Sequence, residues 1–144
     1  MLRRRICAWL GIGALTLAQR GLAFSAANIR GKLAPGPTPA LVTAAARIGL
    51  AGDTGTMLVL ADQRLSGLDF ELTGEPAGEP GVFRVGPLHL RSIIVHQNGK
   101  RLMVTYWCEV CSIRTFTPGV CMCCQDETAV DLKEKLESDD IRSR

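Results

Sequence analysis

Residues 92–124 read SIIVHQNGKRLMVTYWCEVCSIRTFTPGVCMCC, and this stretch decides how the chain is understood. Ile93, Ile94 and Val95 lead to Asn98-Gly99, after which Leu102, Met103, Val104, Thr105, Tyr106 and Trp107 follow. Asn-Gly supplies the two positive-φ positions of a tight type I′ turn, so the segment is predicted to be a β-hairpin. Its second strand runs directly into Cys108, which would carry the first of the cysteines on a rigid element.

Five of the six cysteines lie here, at 108, 111, 121, 123 and 124. The order is C-x-x-C, nine residues, then C-x-C-C. With Cys123 as a passenger these are two C-x-x-C units, a spacing at which two short turns can converge four thiolates on one metal ion. Residues 112–117 are predicted to extend, and Pro118-Gly119 to turn the chain back, so that the four sulfurs can meet. Cys108, Cys111, Cys121 and Cys124 are therefore the expected ligands of a closed, structural site. Zinc suits four thiolates, and iron in the same site stays open. Residues i and i+3 of such a turn converge, which leaves Cys123 outside; in an extended chain Cys121 and Cys123 would instead share a face. The glycine that often follows the second cysteine of a zinc knuckle is replaced by Ser112 and Gln125.

Two other readings of the cysteines stay open. In an oxidising compartment 108 with 111 and 121 with 124 could close as disulfides. Thiol redox chemistry is the other. Trp107-Cys108-Glu109-Val110-Cys111 resembles the W-C-x-x-C active site of thioredoxin-like proteins, which implies a first cysteine opening a helix. Here the β-branched residues of 112–117 and Pro118-Gly119 follow instead. His89 and His96 are expected to be surface or hydrogen-bonded side chains.

Towards the N-terminus, short apolar runs alternate with turn residues: 29–33, Pro35-Gly36-Pro37, 40–43, 48–50, 68–72 and 82–85. These read as strands. Asp53 is placed to cap a brief helix over 54–61, with Met57, Leu58 and Leu60 as its apolar face. The order suits a mainly β fold, a small antiparallel OB-like barrel or sandwich over residues 28–91. Residues 92–144 would then hold the hairpin, a zinc-ribbon-like cysteine module and a C-terminal helix over 127–138, capped by Asp126 with Val130, Leu132 and Leu136 on one face.

Residues 1–27 read as an export signal, with Arg3, Arg4 and Arg5, the apolar run 6–17, and small residues permitting cleavage after Ala27 or Ser25. The run is too short for a stable membrane span, so no stable membrane insertion is expected after cleavage. The seventeen Lys and Arg include Arg3, Arg4, Arg5 and Arg20, while all fourteen acidic residues lie later, so the mature balance is 13 against 14, or −1. That balance, with Phe70 and Phe83 expected in the core, gives no support to a nucleic-acid partner.

As a whole, residues 98–128, NGKRLMVTYWCEVCSIRTFTPGVCMCCQDET, resemble a group of small exported bacterial proteins with a YWCxxC and CxCCQ signature. Weaker similarity extends to 30–42 and 52–71. The resemblance implies the architecture and carries no activity with it. The expected function is an exported, metal-stabilised binding or assembly module with a protein partner; the alternative is a thiol-disulfide redox protein.

Overall fold

The computed structural model describes residues 26–87 and 89–134. The expected export signal falls almost wholly outside the described residues, as does the chain beyond Glu134.

The fold is mainly β. Strands β1 (Ala27–Ala34), β2 (Ala40–Val42) and β3 (Arg47–Ala51) form an antiparallel meander. Helix α1 (Thr54–Ala61) and a 3-10 turn (Gln63–Leu65) then lead to β4 (Asp69–Pro76) and β5 (Val82–Val85). β5 runs parallel to β3 and antiparallel to β4, and β4 pairs with β1. The order β1-β2-β3-β5-β4-β1 closes a small five-stranded barrel. Closure leaves these strands without the unpaired edge an open sheet would expose.

Local chemistry accounts for most of these elements. The Asp53 carboxylate accepts a hydrogen bond from the Thr56 amide at 2.8 Å and so caps α1, as the sequence predicts. The buried face of α1 differs from the expected one: Thr56, Val59 and Leu60 point inward, and Leu58 is exposed. Positions i, i+3 and i+4 share a helix face, and that face here begins at a threonine. Along β4, Phe70 and Leu72 are buried between half-buried Asp69, Glu71 and Thr73, the alternation of a strand with one face on a core.

A short helical turn, α2 (His89–Ser92), precedes the hairpin of β6 (Ile93–Gln97) and β7 (Lys100–Cys108). Asn98 and Gly99 take φ values of 52° and 74°, the two positive angles that a tight hairpin turn demands. β6 joins β4, so barrel and hairpin belong to one sheet. Their side chains also share one core, in which Leu33, Leu60, Phe70 and Phe83 meet Val95, Val104 and Tyr106.

β4 is where the two halves part. Residues 69–72 pair with β6, whereas 74–76 pair with β5 on the same side of the strand, and β1 runs along the other side. Gly74 sits at this fork, where a Cβ atom would lie 2.0 Å from the Arg84 carbonyl oxygen. No side chain fits there.

β8 (Ile113–Thr115) pairs with the C-terminal end of β7, and β9 (Ala129–Glu134) with its opposite edge. The strand β9 corrects the expected helix: residues 129–134 are extended, and the remainder of the 127–138 span lies outside the described residues. Val130 and Leu132 fit a period of two as well as a helical stripe, and both pack against the core. β7 offers a row of backbone donors and acceptors over residues 102–107, and β9 satisfies it. Tertiary pairing outweighs local propensity here.

Gly74→Ala is expected to destabilise the protein by about 2 kcal/mol, because a backbone atom must move to admit the methyl group. Gly78→Ala meets open space at a residue without positive φ and should stay within about 0.5 kcal/mol of the parent. Urea titrations of the two variants test the contrast.

Candidate metal centre

Two chain reversals, each closed by the i+4 amide on the first cysteine's carbonyl, build the site. In the first, the Ser112 amide donates to the Cys108 carbonyl at 2.9 Å and the Cys111 amide to the Cys108 sulfur at 3.4 Å. In the second, the Gln125 amide donates to the Cys121 carbonyl at 3.0 Å and the Cys123 amide to the Cys121 sulfur at 3.4 Å. Ser112 and Gln125 have φ of 53° and 65°. These are the two positions where the sequence lacks glycine, and the chain takes the left-handed conformation there regardless.

The first reversal is positioned by β7, whose last residue is Cys108. The second is tied shut at its base. The Thr128 amide and hydroxyl both donate to the Gly119 carbonyl, at 3.0 and 2.8 Å, and the Cys121 amide donates to the Asp126 carbonyl at 2.7 Å. Val120 and Glu127 form a bridge between these bonds. Gly119, at φ 145°, makes the turn into the loop.

The sulfurs of Cys108, Cys111, Cys121 and Cys124 all lie within 4.8 Å of one another. Cys108 and Cys124 approach to 3.5 Å. A tetrahedron with metal–sulfur bonds of about 2.3 Å has sulfur–sulfur edges of about 3.8 Å, so the four are close enough to bind one metal ion. Cys108 and Cys121 are buried, Cys111 and Cys124 half-buried, and Cys123 is exposed and outside the group. Cys121 and Cys124 therefore converge as i and i+3. Neither histidine joins them: His89 Nε2 lies 2.7 Å from the Phe116 carbonyl and His96 Nε2 2.6 Å from Glu71.

The electrostatics follow from the crowding. Amides of Cys124 and Cys123 pull the Cys121 thiol down to about 7. Cys111 is pushed well up, first by its contact with the Cys123 thiol and then by burial. At Cys124 the Asp126 amide favours the thiolate, but burial and the Cys108 thiol leave the pKa raised. One negative sulfur is favoured and its neighbours resist ionising beside it. Four thiolates together require a cation among them.

Cys108 ends a strand where a thioredoxin-like site would open a helix, and 109–112 turn directly into β8. The helix-dipole route to a reactive first cysteine is thus missing from this geometry.

Two arginines that the sequence did not single out fasten the module down. Arg64, in the 3-10 turn, forms a two-pronged pair with Asp62, lies 5.4 Å over the Tyr106 ring, and donates to the Thr128 carbonyl at 2.6 Å. It links the barrel to the base of the second reversal. Arg114 of β8 stacks 5.0 Å from the Trp107 ring and donates to Thr105 Oγ1 at 2.6 Å and Asp131 Oδ2 at 2.7 Å, spanning β8, β7 and β9. The contacts of Arg64 with Tyr106 and Thr128 and of Arg114 with Asp131 join residues distant in sequence, so only the folded structure makes them visible.

Comparison with known proteins gives no match: no family, no curated protein and no solved structure.

At Ser112 and Gln125 a β-branched side chain cannot adopt the left-handed conformation without strain. Ser112→Val and Gln125→Val should each cost about 1–2 kcal/mol, whereas the glycine variants should be neutral or more stable. Thermal unfolding of the four proteins tests the ranking.

Burial alone would raise the Asp62 pKa, but hydrogen bonds from the Arg64 side chain and amide more than offset it and hold the carboxyl below its usual range. A lowered native pKa contributes stability that is complete above the unfolded value and is lost as pH falls through the native one. Arg64→Met should cost about 2 kcal/mol at neutral pH and flatten the acid limb of the stability profile. An unchanged acid limb in chemical denaturation would show that the pair contributes nothing to it.

Proposed function

We propose that Cys108, Cys111, Cys121 and Cys124 hold a structural metal ion, zinc in preference to iron, in an exported protein that works as a binding or assembly module. The observation that carries this reading is the pair of matched reversals, each aiming two cysteine sulfurs at a common point and directing amides at the first of them. Four protein thiolates fill a tetrahedral coordination sphere, so the ion has no position left for substrate and serves the fold. So small a segment buries little apolar surface, and a metal substitutes for the missing core. In this reading the segment is zinc-ribbon-like.

The strand order β1-β2-β3-β5-β4-β1, with a helix between β3 and β4, supports describing the barrel as OB-like. The binding or assembly role is supported by the apolar side chains at the module's surface. Val110, Phe116, Val120 and Met122 are all exposed, Met122 to 92%. Exposed apolar side chains within one short segment favour contact with another protein surface. Export rests on the basic, apolar and small-residue order of residues 1–27.

Elemental analysis of purified protein is expected to give one metal per chain. Cys108→Ser, Cys111→Ser, Cys121→Ser and Cys124→Ser should each lose it and destabilise the cysteine module, while Cys123→Ser keeps full occupancy. Retention of stoichiometric metal by the four, or its loss from Cys123→Ser alone, would overturn the assignment. Disulfides in place of metal would appear as a single free thiol among the five cysteines after residue 107 in the unreduced protein.

A further inference from the structure

We propose that the outer edge of β9 pairs with the same edge of a second copy of this chain, forming a two-fold dimer through a continuous sheet. β9 pairs with β7 along one side, and among the described residues no strand pairs with its other side. Its six residues, Ala129–Glu134, contain no proline and no positive-φ residue, so the outer row of backbone groups is straight enough to accept another strand. Val130 and Leu132 face the core but remain half-buried, which leaves apolar surface at the edge for a partner to cover.

The occupant follows from the charges. Two antiparallel copies of β9 that keep the same sides of the sheet together can meet only in registers centred on a residue. Centring on Asp131 sets it against the second copy's Asp131, and centring on Lys133 sets two lysines opposite each other. Both are repulsive. Centring on Val130 sets Asp131 opposite Ala129 and gains no charge pair, whereas centring on Leu132 places Asp131 opposite Lys133 twice by symmetry and brings the two Leu132 side chains together. Within one chain the Asp131 carboxylate reaches back over β7 to Arg114 at 2.7 Å and lies 3.5 Å from Lys133, so Asp131 and Lys133 share one face of the sheet, the face on which the second copy's Lys133 would arrive. A self-complementary edge selects a second copy of itself over an unrelated strand.

Analytical ultracentrifugation of the full chain with its metal, across a concentration series, tests the proposal. The parent protein should associate to a dimer. Lys133→Asp creates two like-charge pairs and should weaken association by roughly tenfold or more. Asp131→Lys should do the same, and an equimolar mixture of the two variants should recover the dimer, because each lysine then faces an aspartate. If Asp131→Lys fails to fold for want of the Arg114 partner, Lys133→Asp decides alone, since it removes an exposed side chain. A parent protein that stays monomeric overturns the proposal. So does Lys133→Asp association as tight as the parent's, or a mixture of folded variants that stays monomeric.

Discussion

Strand β4 has more hydrogen-bonding obligations than any one neighbour can meet, and the architecture depends on how it divides them. One edge is committed to β1. The other serves β6 along its first half and β5 along its second, so a single strand closes the barrel and launches the outer sheet. That switch is possible because Gly74 has no side chain at the point where the Arg84 carbonyl crowds in. Once β6 is seated, the Asn98-Gly99 turn places β7, and β7 delivers Cys108 to a fixed point. The position of the first cysteine is thus inherited from the barrel through two registers.

The barrel and the cysteine module are coupled a second time through Arg64. Its guanidinium sits between Asp62, the Tyr106 ring and the Thr128 carbonyl, all at the seam between the two parts. Charge-assisted bonds in so restricted a setting are stronger than their exposed counterparts. Arg114 performs a similar task on the outer side, where one planar group holds three strands. Neither arginine is hydrogen-bonded to the four cysteines, yet both tie down the segments bearing them.

Much of this was legible in the sequence where a local rule has a local cause. Asp53 before 54–61 and Asn98-Gly99 between two apolar runs each have one cheap conformation, and the chain adopts it. The paired cysteine spacing likewise brings the sulfurs of Cys108, Cys111, Cys121 and Cys124 together. The reading broke down where the deciding partner lies far away. Val130 and Leu132 satisfy two periodicities, and only the unfilled edge of β7 chooses between them. The inward face of α1 was misplaced for a related reason, since a threonine at its start hid the stripe that packs on the barrel. Ser112 and Gln125 show the opposite case: the sequence lacks the residue that the geometry favours, and the surrounding hydrogen bonds impose the geometry anyway.

The ties at the base of the second reversal divide the labour between chain and ion. Gly119 and Thr128 are joined by two hydrogen bonds, with the Val120–Glu127 bridge and the Cys121–Asp126 bond stacked above them. Closing a loop costs entropy, and these ties at the base offset part of that cost. An ion at the four sulfurs would therefore act as a rivet that fastens the first reversal to a second one whose base is already tied, and its removal would be felt first where the two reversals meet.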